Sequence, residues 1–232
     1  MDLERIVANL VQKVERRFYG KYRGFVADNA DPKHLGRLRV RVPSLLGADV
    51  VTGWAMPCVA FGGASDQGVL FIPEVDSGVW VEFEEGDLEF PIWVGTFWSE
   101  PGGESEVPKP NDPDGAEQGS VQDPITRKII KTVKGHTIQF EDADGDESII
   151  VVQVNEDGNN VVVLNADGIT LTDLYGNTVV LASDGITATD LTGNAIAMTD
   201  SAFTITAKKA FTIDASGQAV QITADTIDFA KG

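Results

Sequence analysis

Between residues 138 and 229 the chain repeats one small pattern: two apolar residues separated by a single residue, followed by a turn. The pairs are Ile138/Phe140, Ile149/Val151, Val162/Leu164, Ile169/Leu171, Val179/Leu181, Ile186/Ala188, Ile196/Met198, Phe203/Ile205, Phe211/Ile213, Val220/Ile222 and Ile227/Phe229. Spacing of i, i+2 places both members of a pair on one face of an extended strand. From Val162 onward the pairs advance by 7, 10, 7, 10, 7, 8, 9 and 7 residues, which marks a structural repeat. Turn signals fall between them, including Asp157-Gly158, Asp167-Gly168, Gly176-Asn177, Asp184-Gly185 and Gly193-Asn194.

This pattern leaves few folds open. A strand of about five residues with so narrow an apolar face cannot bury it alone, whereas strands stacked in register share a core. A single-chain β-helix has about 20 or more residues per coil, enough for three sides. Repeats of 7–10 residues supply one strand and a corner, so three chains wound together are needed to make three sides. The expectation for residues 125–232 is an intertwined triple-stranded β-helix in a homotrimer. Its axis is expected to be lined by Ile169, Leu171, Val179, Leu181, Ile186, Ile196, Met198, Phe203, Ile205, Phe211, Ile213, Val220, Ile222, Ile227 and Phe229. Eleven stacked strands at ~4.8 Å make a shaft on the order of 50 Å long.

The remainder of the chain reads differently. Residues 20–98 hold five short segments, 22–27, 37–42, 51–59, 79–83 and 92–97, that alternate or are rich in β-branched and aromatic residues. Five strands in this length predict a small barrel of OB type. Residues 99–124 are rich in Pro and Gly with little to bury, and read as a linker. Residues 1–19 read as a helix, with Leu3, Ile6, Val7, Leu10, Val11, Val14 and Phe18 on one face over 2–18. The fold class expected is therefore all-β, an OB barrel followed by a trimeric β-helix, with a short N-terminal helix.

Charge excludes one class of ligand. The net charge is −18, yet residues 1–45 carry ten Lys/Arg against five Asp/Glu, about +5, leaving about −23 for the rest. No Lys or Arg lies between Arg41 and Lys109. Trp54, Trp80, Trp93 and Trp98 could stack on bases, but the basic groove that holds a phosphate backbone is missing, so no nucleic acid is expected. These tryptophans are expected in cores or in the trimer interface.

Little in the sequence suggests catalysis or metal. The single cysteine, Cys58, sits in an apolar run and is expected to be buried. His34 and His136 are far apart, with no His/Cys cluster for zinc. The acidic run 142–147 has Gly145 and Gln153 where a calcium loop would need other spacing, and reads as a hairpin turn. Nucleophile-elbow, P-loop and dinucleotide motifs are missing. No cofactor and no enzymatic activity are expected. The N-terminus has no secretory h-region, so folding in the cytoplasm is expected.

Two segments resemble a known family. Gly24-Phe25-Val26-Ala27-Asp28-Asn29-Ala30-Asp31-Pro32 leads to Leu35-Gly36-Arg37-Leu38-Arg39-Val40-Arg41-Val42-Pro43. Trp54-Ala55, Phe71-Ile72-Pro73-Glu74-Val75, Gly78-Val79-Trp80-Val81 and Phe83-Glu84-Glu85-Gly86-Asp87 follow in order. This series resembles the OB domain of phage baseplate spikes of the P2 tail spike type and of the VgrG proteins of type VI secretion. Lys134-Gly135-His136-Thr137-Ile138-Gln139-Phe140-Glu141-Asp142 is similar to the start of the needle in the same family. The resemblance implies a trimeric spike of a contractile injection system, part of a phage tail or injection particle, that pierces the target membrane on sheath contraction. About twenty residues precede the barrel, implying a separate hub protein. No His-x-His motif follows His136, implying a separate PAAR-type tip protein seated on Ile227, Asp228 and Phe229. The alternatives are a trimeric receptor-binding fibre, which would need a variable C-terminal head, and a β-helical polysaccharide depolymerase, which would need longer coils and a carboxylate-lined groove.

Overall fold

Between residues 22 and 96, five short strands turn buried side chains to one side and close into a barrel. The computed structural model describes residues 17–230 together with Glu4, Ile6, Val7 and Val11. The helix expected over 2–18 falls mostly outside the described residues; Glu4, Ile6, Val7 and Val11 are helical, and Arg17 and Phe18 are not. The chain divides into two compact units, with the boundary between Val107 and Pro108.

The first unit contains β1 (Tyr22–Asp28), β2 (Leu38–Arg41), β3 (Val51–Pro57), β4 (Gly78–Phe83) and β5 (Pro91–Thr96). They form a closed barrel in the order β1-β2-β3-β5-β4. All pairings are antiparallel except β3 with β5, and β4 closes the ring against β1 through Tyr22 opposite Val81. Val26, Leu38, Val40, Val42, Ala55, Val79 and Val81 are fully buried and fill the interior with Phe83 and Trp93. Trp93 donates its indole N–H to the Gly36 carbonyl at 3.1 Å, so its one polar atom is satisfied.

The β1–β2 loop is fastened by a buried ion pair. Asp31 accepts from the backbone N–H groups of Lys33, Leu35 and Arg37 and from the Arg37 guanidinium, with Nη2 at 2.6 Å. The Arg37 hydrogen bond is the chief reason that the Asp31 carboxyl lies well below the usual aspartate range; burial opposes it. His34 adopts φ 54° within this loop.

The second unit is a nine-stranded sheet in sequence order: β6 (Arg127–Lys131), β7 (Thr137–Glu141), β8 (Ser148–Asn155), β9 (Gly158–Asn165), β10 (Gly168–Thr172), β11 (Thr178–Ala182), β12 (Gly185–Thr189), β13 (Ala195–Thr199) and β14 (Phe203–Thr206). Every neighbouring pair is antiparallel. The structure thus keeps the expected strands from Ile138 to Ile205 but changes where their neighbours come from. The expected intertwined helix drew each strand's neighbours from other chains; here they come from the same chain. The physical reason is turn length. Steps of 7 and 10 residues leave two-residue and five-residue connections, and these close hairpins rather than corners. His136 lies in the β6–β7 turn and accepts the Val154 N–H on Nδ1 at 3.0 Å.

The stretch expected to be a bare linker also differs. Its second half belongs to the sheet unit. Pro110 and Asn111 are buried, and residues 111–117 turn back on themselves, with Asp112 N–H on Ala116 O at 2.8 Å. Composition suggested nothing to bury, yet these residues lie over a sheet face that needs a cover.

Truncation should separate the barrel interior from its loops. Leu38→Ala is expected to cost about 2–5 kcal/mol in urea unfolding, whereas Leu35→Ala, at an exposed site, should stay within about 0.5 kcal/mol.

Candidate assembly surface

Register turns the isolated apolar pairs into one surface. Opposite residues of adjacent strands are Ile138 with Val151, Val151 with Val162, Val162 with Leu171, Leu171 with Val179, Val179 with Ala188, Ala188 with Ile196, and Ile196 with Ile205. The other member of each pair makes a second file: Phe140, Ile149, Leu164, Ile169, Leu181, Ile186, Met198 and Phe203. Two unbroken files of apolar side chains therefore cross eight strands on one face, a distance of about 34 Å at ~4.8 Å per strand.

That face stands open. Ile138, Phe140, Leu171, Val179, Ile186, Ile196, Met198 and Ile205 are all exposed, and Phe203 is 65% exposed. Ile169 and Leu181 are partly covered by their neighbours in the sheet. An open apolar surface that spans the whole sheet is unusual for a soluble chain and marks an interaction site.

The edges of the sheet are built to keep this register. On one edge the two-residue turns 166–167 and 183–184 each lead into a glycine, Gly168 at φ 131° and Gly185 at φ 139°. A Cβ at either would lie 2.0 Å from a carbonyl oxygen of the facing strand, Leu181 O or Met198 O, so only glycine fits. On the other edge, Asn160, Asn177 and Asn194 recur every 17 residues. Each accepts on its side-chain oxygen from a backbone N–H one hairpin further on, at Leu174 (2.9 Å), Leu191 (3.0 Å) and Lys208 (2.7 Å). Asp173 and Asp190 accept in turn from the amides of Asn177 and Asn194, at 2.7 and 2.6 Å. Those amide bonds are the main cause of lowered carboxyl pKa values at both aspartates. Burial opposes them, and Asp190 is held down to about 2. The sequence reading had the 7 and 10 steps and the Gly-Asn turns; their sum, a 17-residue hairpin unit with one asparagine in each, was the signal it left unused.

Not every expected axis residue joins the stripe. Phe211, Ile213, Val220, Ile222, Ile227 and Phe229 lie beyond β14 in residues that form no strand, and all are exposed. In one chain β14 is the last edge of the sheet and nothing faces their apolar sides. Asp228 is exposed with them. Cys58 is a correction: it is exposed, not buried. It follows the end of β3, where alternation has already ended, and only its backbone is engaged, donating to Trp93 O at 2.9 Å. Of the tryptophans, Trp93 alone lies in the core. Trp80 and Trp54 are partly covered, under Arg23 and Arg37, and Trp98 is 63% exposed.

On the opposite face, Glu141 pairs with Arg127 Nε at 2.5 Å. Burial alone would raise its pKa, but hydrogen bonds from Thr126, Arg127, the Ala143 N–H and Gln122 outweigh it and hold the carboxyl at about 2. No helix among the described residues is long and apolar enough to cross a membrane.

Acid should loosen the sheet unit. Glu141 and Asp190 have folded pKa values of about 2, below ordinary values of 4.5 and 3.8. Their contribution is complete above the ordinary values and is lost as pH falls toward 2. Melting temperature followed by circular dichroism should hold steady down to about pH 5 and then fall, and Glu141→Gln together with Asp190→Asn should flatten the acid limb.

No curated protein matches the chain. Residues 22–98, the closed barrel and the loops between its strands, match the family model of the Type VI secretion system/phage-baseplate injector OB domain. The barrel is thus similar to the injector OB domains, and the match supports a structural, baseplate-related role in an injection particle.

Proposed function

We propose that this protein is the central spike of a contractile injection system, a homotrimer whose sheet units close on one another into a needle. The observation that carries the reading is the two-file apolar stripe, joined in one chain to an injector-type OB barrel. Three copies with their stripes turned inward make a three-sided prism, one sheet to a side. The stripe is two side chains wide on strands of about five residues. A three-sided closure has room inside for the central residues of each strand only, because the strand ends meet at the corners. Apart from Val180, threonine and small residues occupy the outward positions of β10–β14, as an exterior wet face requires.

In this reading the axis runs from Ile169 and Leu171 through Phe203 and Ile205. The pairs from Phe211 to Phe229, strandless in one chain, extend it once other copies supply neighbours. Three sheets locked over an apolar axis make a stiff rod, and stiffness is what a piercing tip needs. The barrels seat on a separate hub protein, and a PAAR-type tip protein covers Ile227, Asp228 and Phe229. Sheath contraction drives the needle through the target membrane, and the spike acts mechanically, without catalysis.

Native mass spectrometry tests the reading directly. The wild-type protein is expected at three chain masses. Ile186→Asp and Ile196→Asp each place a carboxylate on the shared axis, where burial of an unpaired charge is costly, and should convert the trimer to single chains at micromolar concentration. A wild-type mass of one chain would sink the needle.

A further inference from the structure

We propose that residues 108–124 act as a strap in cis, which covers one face of the sheet, leaves only the striped face free for other copies, and makes β6–β9 the segment from which the needle assembles. This rests on the self-association proposed above and adds its order and its direction.

The strap is bound to the back of the sheet by specific hydrogen bonds. Gln139 points away from the stripe and is 1% exposed. Its side-chain amide grips the Asn111 backbone twice, accepting from Asn111 N at 2.8 Å and donating to Asn111 O at 2.7 Å. The Asn111 side chain accepts from Thr137 Oγ1 at 3.0 Å and donates to Gly115 O at 2.8 Å, and Asn159 also donates to Gly115 O. Gly115 approaches so closely that a Cβ there would lie 2.8 Å from Val161 Cγ2. Lys131 ties the same segment from β6, reaching Lys109 O at 2.9 Å and Glu117 at 2.5 Å.

Beneath the strap lies the one buried apolar cluster described in this unit: Ile150, Val152, Val161 and Val163, with Val154 packed against it. The cluster ends at β9. Further along, the same face carries mostly threonine, Thr170, Thr172, Thr187 and Thr189, with Val180 among them, and no hydrogen bond from the strap reaches it. Strands β6–β9 therefore have a core within one chain, and β10–β14 have none. The first group can order at a rate independent of concentration. The second buries its apolar side chains only when copies meet, and the strap-covered core already formed on the back of β6–β9 sets the face and the register on which they meet. Were the back face bare, Ile150, Val152, Val161 and Val163 would offer a second apolar surface and a wrong way to associate.

Pulsed hydrogen–deuterium exchange during refolding of the full chain, at two concentrations ten-fold apart, reads this order. Amides of residues 108–165 are expected to gain protection at the same rate at both concentrations. Those of residues 166–206 should follow later, at a rate that rises at least ten-fold with concentration. Ile186→Asp should abolish the second phase and leave the first, while Gln139→Ala should slow the first at least ten-fold. If both segments become protected together at a concentration-dependent rate in a protein of several chain masses, the strap is no nucleus and this inference alone is overturned. Loss of protection over 108–165 in Ile186→Asp overturns it equally. A native mass of one chain overturns the self-association reading and this inference with it.

Discussion

The central constraint is an apolar surface that nothing among the described residues of its own chain covers. Backbone pairing in the nine-stranded sheet is complete between neighbours, yet the side chains that pairing brings into line gain little by it. Apolar burial, not hydrogen bonding, supplies most of the favourable free energy of folding. A sheet whose two central files face water lacks that contribution over most of its length. The glycines at the tight turns and the asparagines at the wide ones hold the register without a core, because they act through backbone conformation and hydrogen bonds at the edge. Register is what matters here: a slip of one residue would turn both files to the opposite face.

Stability is therefore uneven along the sheet. Where the strap lies, the backbone and the side chains of the back face are satisfied within one chain, and Gln139 performs on a side chain the double hydrogen bond that a neighbouring strand performs on a backbone. Beyond β9 the outward face changes to mostly threonine and alanine, with Val180 the large apolar exception, while the inward face stays apolar. A strand with one wet face and one apolar face has a definite inside, even where the inside is still open. Local stability falls where buried contacts become few, so the chain grades from a self-sufficient fold to one that waits for neighbours.

The sequence made much of this legible, and the reason differs from element to element. Alternation located all five barrel strands, because a two-sided barrel wall has period two and the turns between its strands carry Gly, Pro and Asp. The pairs from Ile138/Phe140 to Phe203/Ile205 were legible for the same reason, and every one of them lies on the stripe. Neighbour identity was not legible. Seven-residue spacing fits a corner as well as a hairpin, and only the conformations of Gly168 and Gly185 decide between them. The strap was hidden because Pro110, Asn111 and Gly115 have the composition of a linker; their burial depends on Gln139 and Val161, which are distant in the chain. The exposure of Cys58 was not legible because the apolar run 54–60 continues past Pro57, where the strand ends. The exposed pairs after Thr206 show the limit from the other side: alternation gives a strand its face but cannot supply its partner.

Charge placement explains how so acidic a chain can present a face to copies of itself. From Gly158 to Thr206 the five charged residues are Asp167, Asp173, Asp184, Asp190 and Asp200, and every one lies in a turn. The strands themselves, β9 to β14, carry no charge on either face. Copies meeting through the stripe would therefore bury no carboxylate and incur no cost of desolvating one. The aspartates stay at the sheet edges, where water and salt screen their mutual repulsion, and at Asp173 and Asp190 they are occupied in holding the asparagines that fix the register. One residue type thus keeps the edges soluble and the turns rigid while the face between them stays neutral and apolar. On the proposed assembly, keeping charge off the striped face of six successive strands spares the shared axis an unpaired carboxylate.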